Sequence, residues 1–327
     1  MIPLYIKEKI SQTRFLITGG AGFIGSNLAY RLIEEGASSV IVLDDLSTGF
    51  EANIEALKSS PGFRFIKGDI RDYETCVNAC KDVDVVLHQA ALGSVPRSID
   101  NPIATNSVNV DGFLNMLNAA RMAGVNRFVY ASSSSVYGDD ATMPKIEDKT
   151  GELLSPYAVS KHTNEKYAKV FSRVYNMENI GLRYFNVFGP RQNVKGPYAA
   201  VIPLFIQAML RGERPTIFGD GKNTRDFTFI ENVVNANILA GLTSGIGKDA
   251  PILNIAFGGT ISLNDLYHML AKIAGFSELP HYAPERKGDI RNSYANIEKA
   301  QQLLQYSPSV GIEEGLRLTF DWYKNNH

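Results

Sequence analysis

Tyr157 and Lys161 stand four residues apart in the run Ser155-Pro156-Tyr157-Ala158-Val159-Ser160-Lys161. On a helix that spacing puts a phenol and an ammonium on one face, about a turn apart. Ser155 suits the cap of such a helix, and Pro156 its first position. A free phenol has a pKa of about 10 and is a poor base at neutral pH. Lowering it by about 3 units takes roughly 4 kcal/mol in favour of the phenolate, which a nearby ammonium and a second cation can supply where water is scarce. The pair can then remove a hydroxyl proton as hydride leaves the same carbon. Ser132 to Ser135, just after an apolar run, offer a hydroxyl that can hydrogen-bond the reacting oxygen. Tyr-x-x-x-Lys also arises by chance in ordinary helices, so the pair carries meaning only beside a redox cofactor.

The segment Thr18-Gly19-Gly20-Ala21-Gly22-Phe23-Ile24-Gly25 supplies that context. It follows the apolar run Phe15-Leu16-Ile17 and opens a helical pattern from Phe23 to Gly36. Glycines let the backbone turn tightly and approach a pyrophosphate, and a helix N-terminus offers free N–H groups and a positive dipole end. Asp44 ends the next apolar run about 20 residues on, where a carboxylate accepts from a ribose 2′-hydroxyl. Asp45 follows with no arginine adjacent, so a 2′-phosphate is repelled and NAD is expected over NADP. Gly68-Asp69-Ile70 fits an adenine-edge contact. In His88-Gln89-Ala90-Ala91, small residues let a cofactor lie close to the sheet edge.

These groups need a scaffold, and the first 185 residues provide one. Val40 to Leu43, Phe63 to Ile66, Val83 to Leu87, Phe128 to Ala131 and Ile180 to Tyr184 continue the apolar runs, alternating with helical patterns. Continuous apolar runs of this length indicate a parallel sheet covered on both faces, so the expected fold is a doubly wound, Rossmann-type α/β sheet. Val110, Phe113, Leu114 and Leu117 form one amphipathic stripe; Thr163, Tyr167, Val170, Phe171 and Val174 form another. Both are expected to pack on the sheet, with a dimer seam on a second face as the alternative. After Asn186, Gly189-Pro190, Gly196-Pro197, Gly212, Pro215 and Gly219 to Gly221 punctuate short segments. We therefore expect an NAD-binding domain over 1–186, rejoined by 230–256, and a smaller α/β substrate-binding lobe from 187–229 and 257–327. Gly258 to His327 reads as two or three helices.

The bulk composition excludes some functions. A net charge of -1 with no long basic run argues against nucleic acid or an anionic membrane as partner. No apolar run approaches a membrane span and Met1 to Thr13 lacks a signal-peptide core, so the expected location is the cytoplasm. Cys76 and Cys80 read as buried thiols of a reducing compartment, and the scattered histidines suggest no metal site.

The glycine loop, Asp44, the serine cluster with Val136-Tyr137-Gly138, Tyr157-x-x-x-Lys161 and Leu182-Arg183-Tyr184-Phe185-Asn186 together resemble the extended short-chain dehydrogenase/reductases. Arg225-Asp226-Phe227 and Arg286-Lys287-Gly288-Asp289 carry the resemblance through nearly the whole chain, toward bacterial UDP-N-acetylglucosamine 4-epimerases. It implies a UDP-sugar substrate, a 4-keto intermediate reached by transient hydride transfer to bound NAD, and a homodimer through the helices near 101–121 and 156–175. It assigns the catalytic hydroxyl to Ser133, beside Tyr157 and Lys161. It places cofactor contacts at Gly22, Phe23, Ile24, Asp44, Asp69, Ile70, Ala90, Asn109, Lys161 and Tyr184. Gly19, Gly25, Asp45, the turn Ser47-Thr48-Gly49, Gln89, Ala91 and Tyr157 complete the cofactor set.

The same resemblance places substrate contacts at Ser94, Arg97, Ser133, Asn186, Ala200, Val201, Arg225, Arg286 and Asp289. Arg225 and Arg286 can fork onto a diphosphate and Asp289 can accept from ribose hydroxyls. Sugar 4,6-dehydratases of this superfamily usually carry an Asp-Glu pair where this chain has Ser134-Ser135. Ser293 stands where strict UDP-glucose epimerases carry a bulky tyrosine, which leaves room for an N-acetyl group. A UDP-glucose or UDP-(N-acetyl)hexuronic acid 4-epimerase is the runner-up, the latter needing a cation such as Arg97 near sugar carbon 6. A non-catalytic NAD-binding regulator on the same fold would be expected to lack Tyr157 or Lys161, and both are present.

Overall fold

A computed structural model describes residues 2–194, 199–285 and 291–326. Helix α1 (Leu4–Ile10) leads into β1 (Arg14–Thr18), α2 (Phe23–Glu34), β2 (Ser39–Asp44) and β3 (Phe63–Lys67). Next come α3 (Tyr73–Ala79), β4 (Val85–His88), α4 (Val95–Asp100), α5 (Pro102–Asn106) and α6 (Phe113–Met122). β5 (Arg127–Ser133), α7 (Pro156–Tyr175) and β6 (Glu178–Tyr184) complete the first half. The second half runs β7 (Val187–Phe188), α8 (Val201–Leu210), β8 (Thr216–Phe218), β9 (Thr224–Arg225), β10 (Thr228–Phe229), α9 (Ile230–Leu242) and β11 (Ile252–Ile255). It ends with β12 (Ile261–Ser262), α10 (Leu263–Ala274), β13 (His281–Ala283), α11 (Glu298–Leu304) and α12 (Ile312–Asn326).

Seven strands form one sheet in the order β11-β6-β5-β4-β1-β2-β3, and every pairing is parallel. The order reverses between β1 and β4, the crevice where doubly wound sheets bind ligands. Successive strand residues face opposite cores. Phe15 and Ile17 join one cluster with α2 and α9, while Leu16 joins the other with α3, α6 and Phe171 of α7. Burial on both faces explains why the strands read as unbroken apolar runs. The chain from 230 to 256 supplies α9 and then β11, which pairs with β6 at the sheet edge. The short strands pair in twos, β7 with β10, β9 with β12 and β8 with β13.

Three features depart from the sequence reading. Residues 4–10 form α1, which buries Ile6 and Ile10 and ties Lys9 Nζ to the carbonyl of Leu242 at 3.1 Å. The helix before α6 widens into a π-helical turn over Ser107–Gly112, an extra residue that a 3.6-residue period cannot reveal. The expected stripe on α7 does not lie wholly on the sheet. Its buried residues include Ala158, Lys161, Glu165, Ala168 and Phe171, whereas Val170 and Val174 are 51% and 64% exposed. Small alanines and satisfied polar groups let α7 sit close to β5 and β6, which turns the β-branched residues outward.

Candidate active site

All the singled-out strand ends meet at the carboxyl edge of the sheet. Thr18 pairs in register with His88, His88 with Tyr130, and Ser133 with Tyr184. The glycine loop leaves β1 there. Gly19 has φ +67°, and a Cβ on it would meet the Ala90 nitrogen at 2.7 Å. A Cβ on Gly25 would lie 2.3 Å from the Gly19 carbonyl oxygen, so α2 starts hard against the loop. No side chain caps α2, whose first turn lines a cavity of about 380 Å³. Open amides at a helix N-terminus beside such a cavity are the donor set a pyrophosphate needs.

The cavity draws together most of the expected cofactor set: Gly19, Gly22, Phe23, Ile24 and Gly25 from the loop, Asp44, Asp45, Ser47 and Thr48 after β2, and Asp69 and Ile70 after β3. Gln89, Ala90 and Ala91 close it from β4. Asp44 is nearly buried and accepts from the amides of Ala21 at 2.9 Å and Leu46 at 2.8 Å. Burial pushes its pKa up, and these amides pull it back. The carboxylate thus braces the glycine loop while lining the cavity.

Asp69 lines the cavity, but Arg71 grips its carboxylate through Nε at 2.8 Å and Nη2 at 2.5 Å, which lowers the pKa of the acid. The sequence has no arginine beside Asp44 and Asp45. In space, the charge of Arg71 reaches Asp45, but its guanidinium is engaged on Asp69. Gly49 lies outside the cavity and backs the loop, where a Cβ would meet Ala21 at 2.9 Å.

Asn109 also stands behind the cavity wall. It sits on the π-helical turn and clasps Leu92, accepting from its amide at 2.7 Å and donating to its carbonyl at 3.2 Å. The same amide nitrogen reaches Ser160 on α7. Leu92, Gly93, Gln192 and Asn193 line the cavity without having been singled out, because loop residues of this kind carry no periodic signal; Val108 of the π-helical turn lines it too.

From Gln89 the polar contacts run toward Tyr157 and Lys161. The Tyr184 hydroxyl donates to Gln89 Oε1 at 3.0 Å, and Asn237 of α9 bonds both residues. Asn237 was missed, although a fully buried asparagine in an apolar helix is itself a signal. Tyr157 is half-buried at the start of α7, whose cap Ser155 accepts from the Ala158 amide at 3.1 Å. The Ser133 side chain stands close enough to act on its phenol. Burial raises its pKa and Ser133 lowers it, the net direction being upward, so the protein alone does not make it a base. Lys161 is 2% exposed; its ammonium donates to the Ala131 carbonyl at 2.8 Å and lies 5.9 Å from the Tyr157 ring centre. Burial lowers its pKa to about 8. A further positive charge is needed to activate the phenol, as a nicotinamide ring would supply.

On the substrate side, Ser94, Arg97 and Ala200 line the same cavity. Ser94 is held at φ +117° and caps α4 by accepting from the Arg97 amide at 3.3 Å. A residue held in so sparsely populated a region marks a site built for more than chain reversal. Asn186, at φ +35°, donates to the Asp226 carbonyl at 3.1 Å, which brings it to the strand segment carrying Arg225. The Ser293 amide donates to the Thr224 carbonyl at 3.1 Å, so the small serine also borders Arg225. Val201 opens α8 and packs against the core rather than the cavity. Arg286 and Asp289 lie outside the described residues.

The chain matches the model of the NAD dependent epimerase/dehydratase family over residues 15–256. It is 39% identical over 315 residues to a putative UDP-glucose 4-epimerase of Methanocaldococcus jannaschii, covering 95% of this chain and 99% of that protein. Among solved structures it resembles the UDP-N-acetylglucosamine 4-epimerase from Methanobrevibacter ruminantium M1 in complex with UDP-N-acetylmuramic acid, with a TM-score of 0.91, 36% identity and coverage of 96% and 99%. It also resembles the UDP-glucuronic acid 4-epimerase from Bacillus cereus in complex with UDP-glucuronic acid and NAD, with a TM-score of 0.88, 32% identity and coverage of 96% and 100%. Matched by the family model over most of its length and by relatives from end to end, this chain belongs to the NAD-dependent epimerase/dehydratase family.

Proposed function

We propose that the protein is a UDP-sugar 4-epimerase whose substrate pair is UDP-N-acetylglucosamine and UDP-N-acetylgalactosamine. The observation that carries the reading is the grouping of Ser133, at the end of β5, with the Tyr157 phenol and a buried Lys161 that donates to the Ala131 carbonyl, at the sheet edge where the cofactor cavity opens. NAD, held by the glycine loop and the residues after β2 and β3, would supply reversible hydride chemistry at the sugar carbon. The rest falls to side chains. Tyr157 takes the proton of the 4-hydroxyl and later returns it to the 4-keto oxygen. Ser133 donates to that oxygen and fixes its distance from the phenol. Lys161 keeps a positive charge within reach of the phenol and would help hold the cofactor. Arg225 and, from the sequence, Arg286 hold the diphosphate while the sugar turns, with Asp289 on the uridine ribose.

The N-acetyl assignment rests on Ser293 beside Arg225 and on the likeness to the Methanobrevibacter enzyme. A hexuronic acid substrate is the second reading, favoured by Arg97 lining the cavity. The same proposal includes a homodimer. Helices α4, α5 and α7 pack together, and Ile99, Ile103, Val170 and Val174 are left 60%, 82%, 51% and 64% exposed on them. Proton NMR of the protein incubated with UDP-N-acetylglucosamine alone tests the assignment. The C4 epimer, with its altered H4 coupling, is expected to appear; conversion of UDP-glucuronate alone would transfer the assignment to the uronic acids.

A further inference from the structure

Glu165 lies on α7 one turn beyond Lys161 and two beyond Tyr157, on the same side of the helix. Its side chain is 6% exposed. Oε1 accepts from the Ser132 hydroxyl at 2.6 Å and from Arg183 Nε at 2.9 Å, while Oε2 accepts from Arg183 Nη2 at 2.8 Å. Ser132 directly precedes Ser133 at the end of β5, and Arg183 directly precedes Tyr184 at the end of β6. One carboxylate therefore ties the helix bearing the acid–base pair to the neighbours of Ser133 and Tyr184. Arg183 is itself anchored, donating through Nη1 to the Glu147 carbonyl at 3.0 Å and lying over the Tyr137 ring at 4.8 Å.

A buried ion pair of this kind adds little stability over well-packed apolar residues of the same size, so stability alone does not explain it. Its position does. The groups facing Lys161 are Tyr157 and Glu165 on its own helix and His88 on β4, with Arg183 of β6 and Tyr130 of β5 around Glu165. His88 is buried, and burial lowers its pKa to about 3, so it is neutral and adds no second positive charge beside the ammonium. Glu165 is the anion whose field acts on Lys161 against the cost of burial.

We propose that Glu165 is a positioning residue of the reaction, which docks α7 on the ends of β5 and β6 so that Tyr157 meets Ser133, and whose charge keeps Lys161 an ammonium at neutral pH. The proposal rests on the reading of Tyr157 and Lys161 as the acid–base pair. It is tested in Glu165→Gln, Glu165→Asp and Ser132→Ala by two readouts. The first follows the Lys161 side chain by NMR of lysine-labelled protein without sugar nucleotide, its signal assigned by loss in Lys161→Met.

In Glu165→Gln the Lys161 midpoint is expected to fall by about one pH unit or more, whereas Ser132→Ala leaves it in place and Glu165→Asp restores it. The second readout is turnover. In Glu165→Gln kcat is expected to drop between about ten- and a hundredfold with little change in KM, and the alkaline limb of its pH profile moves to lower pH. If Glu165→Gln fails to fold because Arg183 is left unpaired, Glu165→Gln/Arg183→Met takes its place in both measurements. An unmoved Lys161 midpoint in the folded glutamine variant overturns the proposal. Absence of epimerisation by the unaltered protein would instead refute the functional reading, since the titration does not depend on turnover.

Discussion

Lys161→Met tests the cost at which the site holds its cation. The ammonium is 2% exposed and its pKa falls from 10.5 to about 8, mainly through burial. A fall of that size corresponds to about 3 kcal/mol of folding free energy, at 1.36 kcal/mol per unit. Below pH 8 both the folded and the unfolded chain hold the proton, so the burial cost is present in full. Between about 8 and about 10.4 the unfolded chain binds it and the folded chain does not, so stability rises with pH across that window. Methionine occupies similar space and does not titrate. Its loss of the bond to the Ala131 carbonyl is a constant offset of about 1–3 kcal/mol. Urea denaturation of both proteins at pH 7 and at about pH 9.5 isolates the titrating part. The unaltered protein should gain about 2 kcal/mol relative to Lys161→Met over that interval. Parallel stability curves would refute the assignment of a depressed, buried ammonium, and with it the electrostatic account of the phenol.

Tyr157→Phe should abolish turnover while leaving NAD affinity by calorimetry within about threefold, because on the proposed mechanism the phenol is the proton carrier but only one of many cofactor contacts. Gly25→Ala puts a Cβ 2.3 Å from the Gly19 carbonyl, against backbone that cannot swing aside. NAD binding should weaken by tenfold or more on the order of the cost of distorting the loop, with a lower melting temperature. Ser293→Tyr should reduce kcat/KM for the N-acetylated sugar by roughly a hundredfold while retaining activity on UDP-glucose, read by NMR on both. Val174→Glu places a charge on the exposed apolar side of α7 and should convert a dimer to a monomer in light scattering, with its fold intact by circular dichroism.

The sheet was legible because both of its faces are buried, which leaves strands such as Val40 to Leu43 as unbroken apolar runs between helices. The glycine loop, Asp44 and Tyr157-x-x-x-Lys161 were legible because tight turns and one-turn helical spacings leave local marks. What escaped was whatever depends on distant partners. Nothing near Asn237 in sequence points to Gln89, and nothing near Glu165 points to Ser132 and Arg183. The outward turn of Val170 and Val174 escaped for a related reason. Periodicity finds an apolar face, whereas the face buried on the sheet is chosen by Lys161 and Glu165, whose polar groups are satisfied there. The π-helical turn that aims Asn109 at Leu92 is likewise set by packing.

The central claim is that one hydride leaves C4 of the sugar and returns to the same carbon inside a closed site. UDP-N-acetylglucosamine bearing deuterium at C4, incubated with the protein in ordinary water, tests it directly. The account predicts that the C4 epimer forms with its deuterium retained and no H4 signal appears in either sugar. Entry of solvent hydrogen at C4, or failure of this substrate to react at all, would contradict it.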